Sequence, residues 1–423
     1  MLERHTADVV VVGAGPAGVA AACAAAEAGR RVLLLDEGMR PGGQIWRHAV
    51  RSGLPRPARR WLDRLDHSGA TFMGGTSVVD GAQGWLLAER QGQPQEIRGA
   101  ALVLATGARE RFLPFRGWTL PGVVGVGGAQ ALVKGGLDVR GARVVVAGTG
   151  PLPLAVAAAL RTAGADVSTV AEQAPLRAVA RFAAGLWQTP ARALQAVRYR
   201  ATLVGTRFRT GTWVAAAEGQ GRVTGVRLTD GRRTWREPCD WLCAAWGLVP
   251  ATELAAVLGC AARDGAVVVD AQLRTSVPGI WCAGESVGVA GVEAALVEGE
   301  MAGQWAVDRP PPARLAAARG RHRELARRME AAFALRPELR SMADDDVLAC
   351  RCEDVPLGAA RTAGSFREAR LHTRLGMGAC QGRVCGAALG FLLGWEAPAV
   401  RPPILPARAG TLLAMTDQPR RDS

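Results

Sequence analysis

The stretch ADVVVVGAGPAGVAAACAAAEAGRRVLLLDEG, Ala7 to Gly38, leaves a chain few ways to fold. Val9–Val12 is an apolar run of the kind buried on both faces of a parallel sheet. Gly13-x-Gly15-x-x-Gly18 follows at once, and an alanine-rich segment predicts a helix to Ala28. Val32–Leu35 predicts a second strand that ends at Asp36. In such a βαβ unit the glycines permit the tight turn, the approach of backbone to a pyrophosphate, and close packing of helix on strand. The phosphates then lie at a helix N-terminus, where free N–H groups and the dipole favour negative charge. Asp36 is placed to accept hydrogen bonds from an adenosine ribose, with Glu37 the weaker choice. The stretch is therefore a dinucleotide-binding motif.

At 423 residues the chain has room for about two or three domains. Its formal charge is +14, yet Lys134 is the one lysine among 52 basic residues, and the arginines are scattered rather than clustered with aromatics. That pattern argues against nucleic-acid binding and favours attraction to an acidic protein partner. The uncharged run Val9 to Ala26 is long enough for a membrane span, but its glycines and proline suit strand, turn and helix. MLERHTAD lacks the layout of a signal peptide, so a cytoplasmic location is expected. Nine cysteines in a reducing compartment are not a disulfide framework, which leaves clustered ones for metal or redox work.

Three more stretches carry a resemblance. Pro41-Gly42-Gly43-Gln44, the strand ending Thr106-Gly107, and TSVPGIWCAGE ending Gly284-Glu285 resemble three marks of the two-dinucleotide-domain flavoproteins. The resemblance implies FAD, with Gly43 and Gln44 passing near the isoalloxazine, Thr106 and Gly107 beside the cofactor, and the acid after Gly284 on the ribityl chain. That acid is usually Asp; here it is Glu285.

A second βαβ pattern, ARVVVAGTGPLPLAVAAALRTAGADVSTVAEQ, holds Gly148 and Gly150, and Glu172 closes its second strand. Pro153 stands at the third glycine position; it is tolerated in a first helical turn but cannot give the contact a glycine gives. An inserted nicotinamide-type domain is expected. Its ligand is left open between NAD, another nucleotide such as ATP, and none; with Glu172 present, NAD is favoured over NADP. Gly43 to Ser52 and Gly122 to Ala174 contain no cysteine, so the redox pair of a disulfide reductase is missing from both usual places. Cys23, Cys239, Cys243, Cys260 and Cys282 are expected to pack as small apolar residues.

After Pro310-Pro311-Pro312 an arginine-rich helix is expected, its charges forming a solvated linker face. Beyond it, Cys350-x-Cys352 and Cys380-x4-Cys385 form two pairs. Four thiolates in pairs suit a zinc ion or a [2Fe–2S] cluster. The CxC, the short helical segment and TRLGMGACQGRVC resemble the bacterioferritin-associated-ferredoxin type of [2Fe–2S] domain, which implies that Cys350, Cys352, Cys380 and Cys385 hold such a cluster.

Together with GARERFLPFRGWTLPG and Gly127-Gly128-Ala129-Gln130, the whole chain resembles the alpha or A subunits of multi-subunit, dye-linked amino-acid dehydrogenases. The expected fold is α/β: a Rossmann-like FAD domain at 1–120 and 265–310, and an inserted Rossmann-like NAD-type domain at 121–264. A basic helical linker at 311–344, a small α-rich [2Fe–2S] domain at 345–395 and a proline-rich tail at 396–423 complete it. In that family amine oxidation belongs to a separate FAD-containing partner, and the present chain relays electrons. The resemblance thus implies an FAD-containing beta partner, a small ferredoxin-like partner, an amine or amino-acid substrate, FMN at a subunit interface in some relatives, and attachment to the inner membrane through the complex. No residue in the chain stands out as a general base, so the catalytic residues stay unassigned. Two alternatives remain open: a self-contained NAD(P)H-dependent reductase, and a nucleotide-binding scaffold.

Overall fold

The computed structural model describes residues 2–47, 53–396 and 398–416. The chain forms two compact units, each assembled from separated segments: 1–109, 249–326 and 399 onward in the first, 110–248 and 327–398 in the second.

The first unit is built on a seven-stranded sheet. Its centre is strand Glu3–Val12, longer than the four apolar residues suggest because Glu3–Ala7 also pair with Gln95–Gly99. Val9–Val12 lie in parallel register between Val32–Leu35 and Ala101–Leu104, so this run is covered on both edges and buried. Thr71–Met73 extends the sheet beyond Val32–Leu35, and Ile280–Cys282 joins Gln93–Leu104 in parallel. Trp85–Arg90 and Thr76–Ala82 add an antiparallel flap.

Helix Pro16–Ala26 ends two residues short of Ala28 and is almost wholly buried. Its alanines admit helix Val292–Trp305 at close range: a Cβ on Gly299 would lie 2.0 Å from the Ala17 carbonyl oxygen, and one on Gly303 2.2 Å from that of Ala21. The tail returns to this unit, with the Ile404 amide donating to Val79 O at 2.8 Å and Thr411 Oγ1 to Glu89 at 2.7 Å.

The second unit carries a five-stranded parallel sheet in the order Arg207–Thr210, Asp166–Glu172, Arg143–Gly148, Trp241–Ala245, Val123–Gly125. Helices Pro151–Thr162 and Val126–Lys134 pack against it, and Trp213–Glu218, Gly225–Thr229 and Thr234–Pro238 form a separate antiparallel sheet. The four-cysteine segment shares one hydrophobic core with this unit: Leu339, Val347, Phe366 and Leu389 cluster with Trp118, Trp213 and Leu242. Trp118 Nε1 donates to Leu348 O at 2.8 Å, and Arg116 bridges Asp344 and Asp346. Residues 345–395 thus share their core with the second unit, and the two units divide near 109 and 249. Among the described residues no helix is long and apolar enough to cross a membrane.

Candidate functional site

In the first unit the motifs converge on the ends of the parallel strands. Gly13 adopts φ +100°, and a Cβ there would lie 2.3 Å from Ala105 O. Gly18 passes so close beneath that a Cβ would lie 1.7 Å from Gly13 O. Gly15 differs, because nothing lies within 4 Å of where its Cβ would stand. Packing thus demands the outer two glycines. The middle one keeps an open approach to a helix whose first amides have no intrahelical acceptor and whose first turn has no acid. Gly43 closes over this loop at φ +57°, its Cβ position 2.8 Å from Gly15 Cα, and Gly42 N donates to Ala14 O at 2.8 Å.

Asp36 accepts from the amides of Ala14 at 2.6 Å and Gly38 at 2.7 Å, one on each oxygen. Burial pushes its pKa up and the two amides oppose that. Each oxygen keeps a lone pair for a further donor. Glu37, the weaker choice, is exposed. Gln44 is exposed too and accepts from Arg47 at 2.6 Å.

Thr106 Oγ1 donates to Ala251 O at 2.7 Å and meets Ser286 Oγ at 3.0 Å. Gly107 adopts φ +72° beside open space. Ala283 N donates to Leu104 O at 2.9 Å, which sets the Gly284-Glu285 turn beside the Thr106 strand end. Gly284 adopts φ +79°, and a Cβ would lie 2.8 Å from the Ala17 methyl. Glu285 has its carboxyl pushed up by burial, with the Gly291 amide and the Arg323 charge pulling the other way.

Behind that turn lies a network that sequence reasoning missed. Glu298 is fully buried, accepts the Gly284 amide at 3.1 Å, and receives both Nε (2.7 Å) and a terminal nitrogen (2.6 Å) of Arg323. Arg319 Nε adds a contact at 3.1 Å. Arg323 also donates to the carbonyls of Gly284, Val287 and Gly288. Two arginines of helix Ala313–Ala332 therefore turn inward and pin the Gly284–Gly288 turn, which corrects the expectation of a wholly solvated face. The signal was legible: Glu298 falls on the apolar face of VEAALVEGEMAGQW, where a charge requires a partner.

In the second unit Gly148 is demanded by packing, since a Cβ would lie 1.8 Å from Ala245 O. Gly150 adopts φ +87°, and Pro153 is buried in the first helical turn. Glu172 accepts from the amides of Gly150 (2.7 Å) and Ala174 (2.8 Å), and burial pushes its pKa up to about 7.

The four C-terminal cysteines form two cross pairs, each with one sulfur from the CxC and one from the CxxxxC. Cys352 Sγ lies 3.7 Å from Cys380 Sγ. Cys385 is hydrogen-bonded to Cys350, which lowers the Cys350 pKa to about 5 and raises that of Cys385. The amides of Gly376, Glu353 and Cys352 also favour a Cys350 thiolate. Gly378 sits against the CxC, a Cβ there lying 2.4 Å from Cys352 Cβ. Among the described residues no three acid, histidine or cysteine side chains converge as one metal set. The other five cysteines are buried, and burial raises each thiol pKa, to about 12 for Cys23, Cys239 and Cys243.

Residues 7–302 match the pyridine nucleotide-disulphide oxidoreductase family model. The A subunit of opine oxidase from Rhizobium meliloti is 31% identical over 97% of this chain and 88% of its own length. The hydrogen cyanide synthase component HcnB of Pseudomonas protegens is 30% identical, with 89% of each chain covered. The crystal structure of L-proline dehydrogenase from P. horikoshii superposes with a TM-score of 0.70 at 20% identity, covering 97% of this chain and 80% of that one. The cradle at Gly13–Gly18 lies inside the matched segment and the four paired cysteines lie outside it. The chain belongs to the pyridine nucleotide-disulphide oxidoreductase family and is an FAD-dependent oxidoreductase, related to HcnB and to the A subunit of opine oxidase.

Proposed function

We propose that the chain is the FAD- and [2Fe–2S]-containing electron-transfer subunit of a heteromeric oxidoreductase whose substrate is an amino acid or an opine-type secondary amine. The observation that carries the reading is the presence, in one chain, of an open Gly15 cradle and of four cysteines in two cross pairs. A single zinc with four thiolates would bring all four sulfurs to about 3.8 Å of one another, given Zn–S bonds of about 2.3 Å. Two separate close pairs suit one iron per pair. FAD, when bound, would supply two-electron acceptance with one-electron release, and a cluster held by the four cysteines would supply single-electron transfer.

FAD would be held by Gly13, Gly15 and Gly18 at the pyrophosphate, Asp36 at the ribose, Gly43, Thr106 and Gly107 beside the ring system, and Gly284 with Glu285 at the ribityl chain. The cluster would be held by Cys350, Cys352, Cys380 and Cys385. The names of the relatives support partners, since the opine oxidase, hydrogen cyanide synthase and sarcosine oxidase relatives are each one subunit of a larger enzyme. A partner chain with its own FAD would oxidise the amine, and a small ferredoxin-like chain would complete the complex. The protein would work in the cytoplasm, held at the membrane through that complex.

Co-expression with its neighbouring chains should give a complex that reduces an artificial dye with a proline-, opine- or glycine-like substrate. The isolated chain, prepared without air, should contain about two iron and two sulfide per molecule by the stoichiometry of that cluster. Zinc in place of iron, or amine oxidation by the isolated chain, would overturn the reading.

A further inference from the structure

The two glycine loops of this chain are built alike and end differently. Around Gly15 the space is open, but Gly150, in the corresponding place, has Phe333 against it: Cβ and Cγ of that residue lie 4.0 Å from where a Gly150 Cβ would stand. Phe333 ends the long basic helix, its amide donating to Met329 O at 3.0 Å, and its ring packs edge-on to Phe182 at 5.1 Å.

The chain beyond it is held as a ligand would be. Thr149 Oγ1, between the two glycines, donates to Phe333 O at 2.9 Å. Gln173, fully buried just past the second strand, donates through Nε2 to Thr149 Oγ1 at 2.9 Å and to Ala334 O at 3.0 Å. Its Oε1 accepts the Arg336 amide at 3.2 Å. The Arg336 guanidinium then lies over the Trp213 ring, 4.9 Å from its centroid. In a doubly wound sheet these strand ends form the crevice where a dinucleotide lies, and its pyrophosphate comes against the second glycine of the loop. Here a phenyl side chain takes that place, and one buried amide side chain reads both faces of a backbone segment.

We infer that Phe333–Arg336 is the resident occupant of the second crevice, and that Phe333 excludes a nicotinamide dinucleotide from it and so determines the electron donor. The consequence for the donor rests on the electron-transfer reading: reducing equivalents reach this chain from a protein partner, not from NADH or NADPH. Gly148, Gly150 and Glu172 then serve the fold and the strap rather than a second cofactor.

The test uses the full-length, flavin-loaded protein without air. Calorimetric titration with NADH, NADPH and ATP to millimolar levels should show no saturable binding, and the flavin spectrum should stay unchanged. Amide hydrogen exchange should show Arg336 protected in the wild type and at least tenfold faster in Gln173→Leu. Saturable nucleotide binding without flavin bleaching would overturn the strap alone. Rapid bleaching by NADH would overturn the electron-transfer reading as well. An Arg336 amide that exchanges equally fast in wild type and Gln173→Leu would also sink the inference.

Discussion

At the scale of single residues, the fully buried Glu298 and the half-buried Glu172 differ in their partners. Glu298 has two arginines and a backbone amide around it, so its charge is compensated. Glu298→Ala leaves Arg319 and Arg323 partly buried without their acceptor and should cost about 3–5 kcal/mol, read as a shift of the denaturation midpoint. The same variant should release FAD on dialysis, because the Gly284–Gly288 turn loses its pin. Glu172 has two backbone amides and the Thr149 side chain for partners and no cation, and burial lifts its pKa to about 7. An acid whose pKa is raised on folding stabilises most below its unfolded value and loses that contribution as pH rises through the folded one. Wild-type stability relative to Glu172→Gln should therefore fall between about pH 4.5 and 7, by at most about 3 kcal/mol, and level off above. Thermal melts of the two proteins across that range check it; a difference that does not change with pH would contradict the burial argument.

Among the elements, the packing of helix Pro16–Ala26 against Val292–Trp305 is the most demanding contact. It carries the first cradle on one side and the Glu298 network on the other. Gly299→Ala or Gly303→Ala places a methyl about 2 Å from a backbone oxygen and should cost about 1–3 kcal/mol, with weaker flavin retention. Gly320 gives the control: it is exposed within helix Ala313–Ala332 and has no neighbour within 4 Å of its Cβ position. Gly320→Ala should stabilise by about 0.5–1 kcal/mol in the same melts.

The glycines of the first loop and Asp36 were legible in the sequence because they lie together within Val9–Asp36, where local spacing specifies local geometry; the contacts from Gly42, Gly43 and Ala105 that close the cradle come from farther along the chain. The cross pairing of Cys350 with Cys385 and of Cys352 with Cys380 was not, since spacing alone cannot say which sulfurs meet. Nor could periodicity find the inward turn of Arg319 and Arg323, as nothing in an arginine-rich helix marks which side chains have a buried acid opposite. The strap is the clearest case. Thr149, Gln173 and Phe333 are ordinary residues far apart in sequence, and their meaning arises only where the strand ends bring them together.

Over the whole molecule, the two compact units each borrow chain from beyond the family's matched segment: the tail returns to the first, and residues 327–398 complete the second. The four-cysteine segment should consequently not survive excision as a stable fragment, because its core is continuous with Trp118, Trp213 and Leu242. Cys352→Ser, by contrast, alters an exposed residue. On the proposed cluster reading it should abolish or strongly reduce bound iron while leaving FAD content and the melting midpoint nearly as they were. Loss of flavin together with iron would show that the two sites are not independent.

The strap also differs from any diffusible ligand in how it meets competition. A group tethered to its own site by a short connection is present at an effective concentration on the order of millimolar, whatever the protein concentration. Dilution cannot empty the second crevice. A free nucleotide would have to outcompete an occupant that never leaves the molecule, so any residual affinity of the old dinucleotide fold would be masked at cofactor levels that saturate an ordinary reductase.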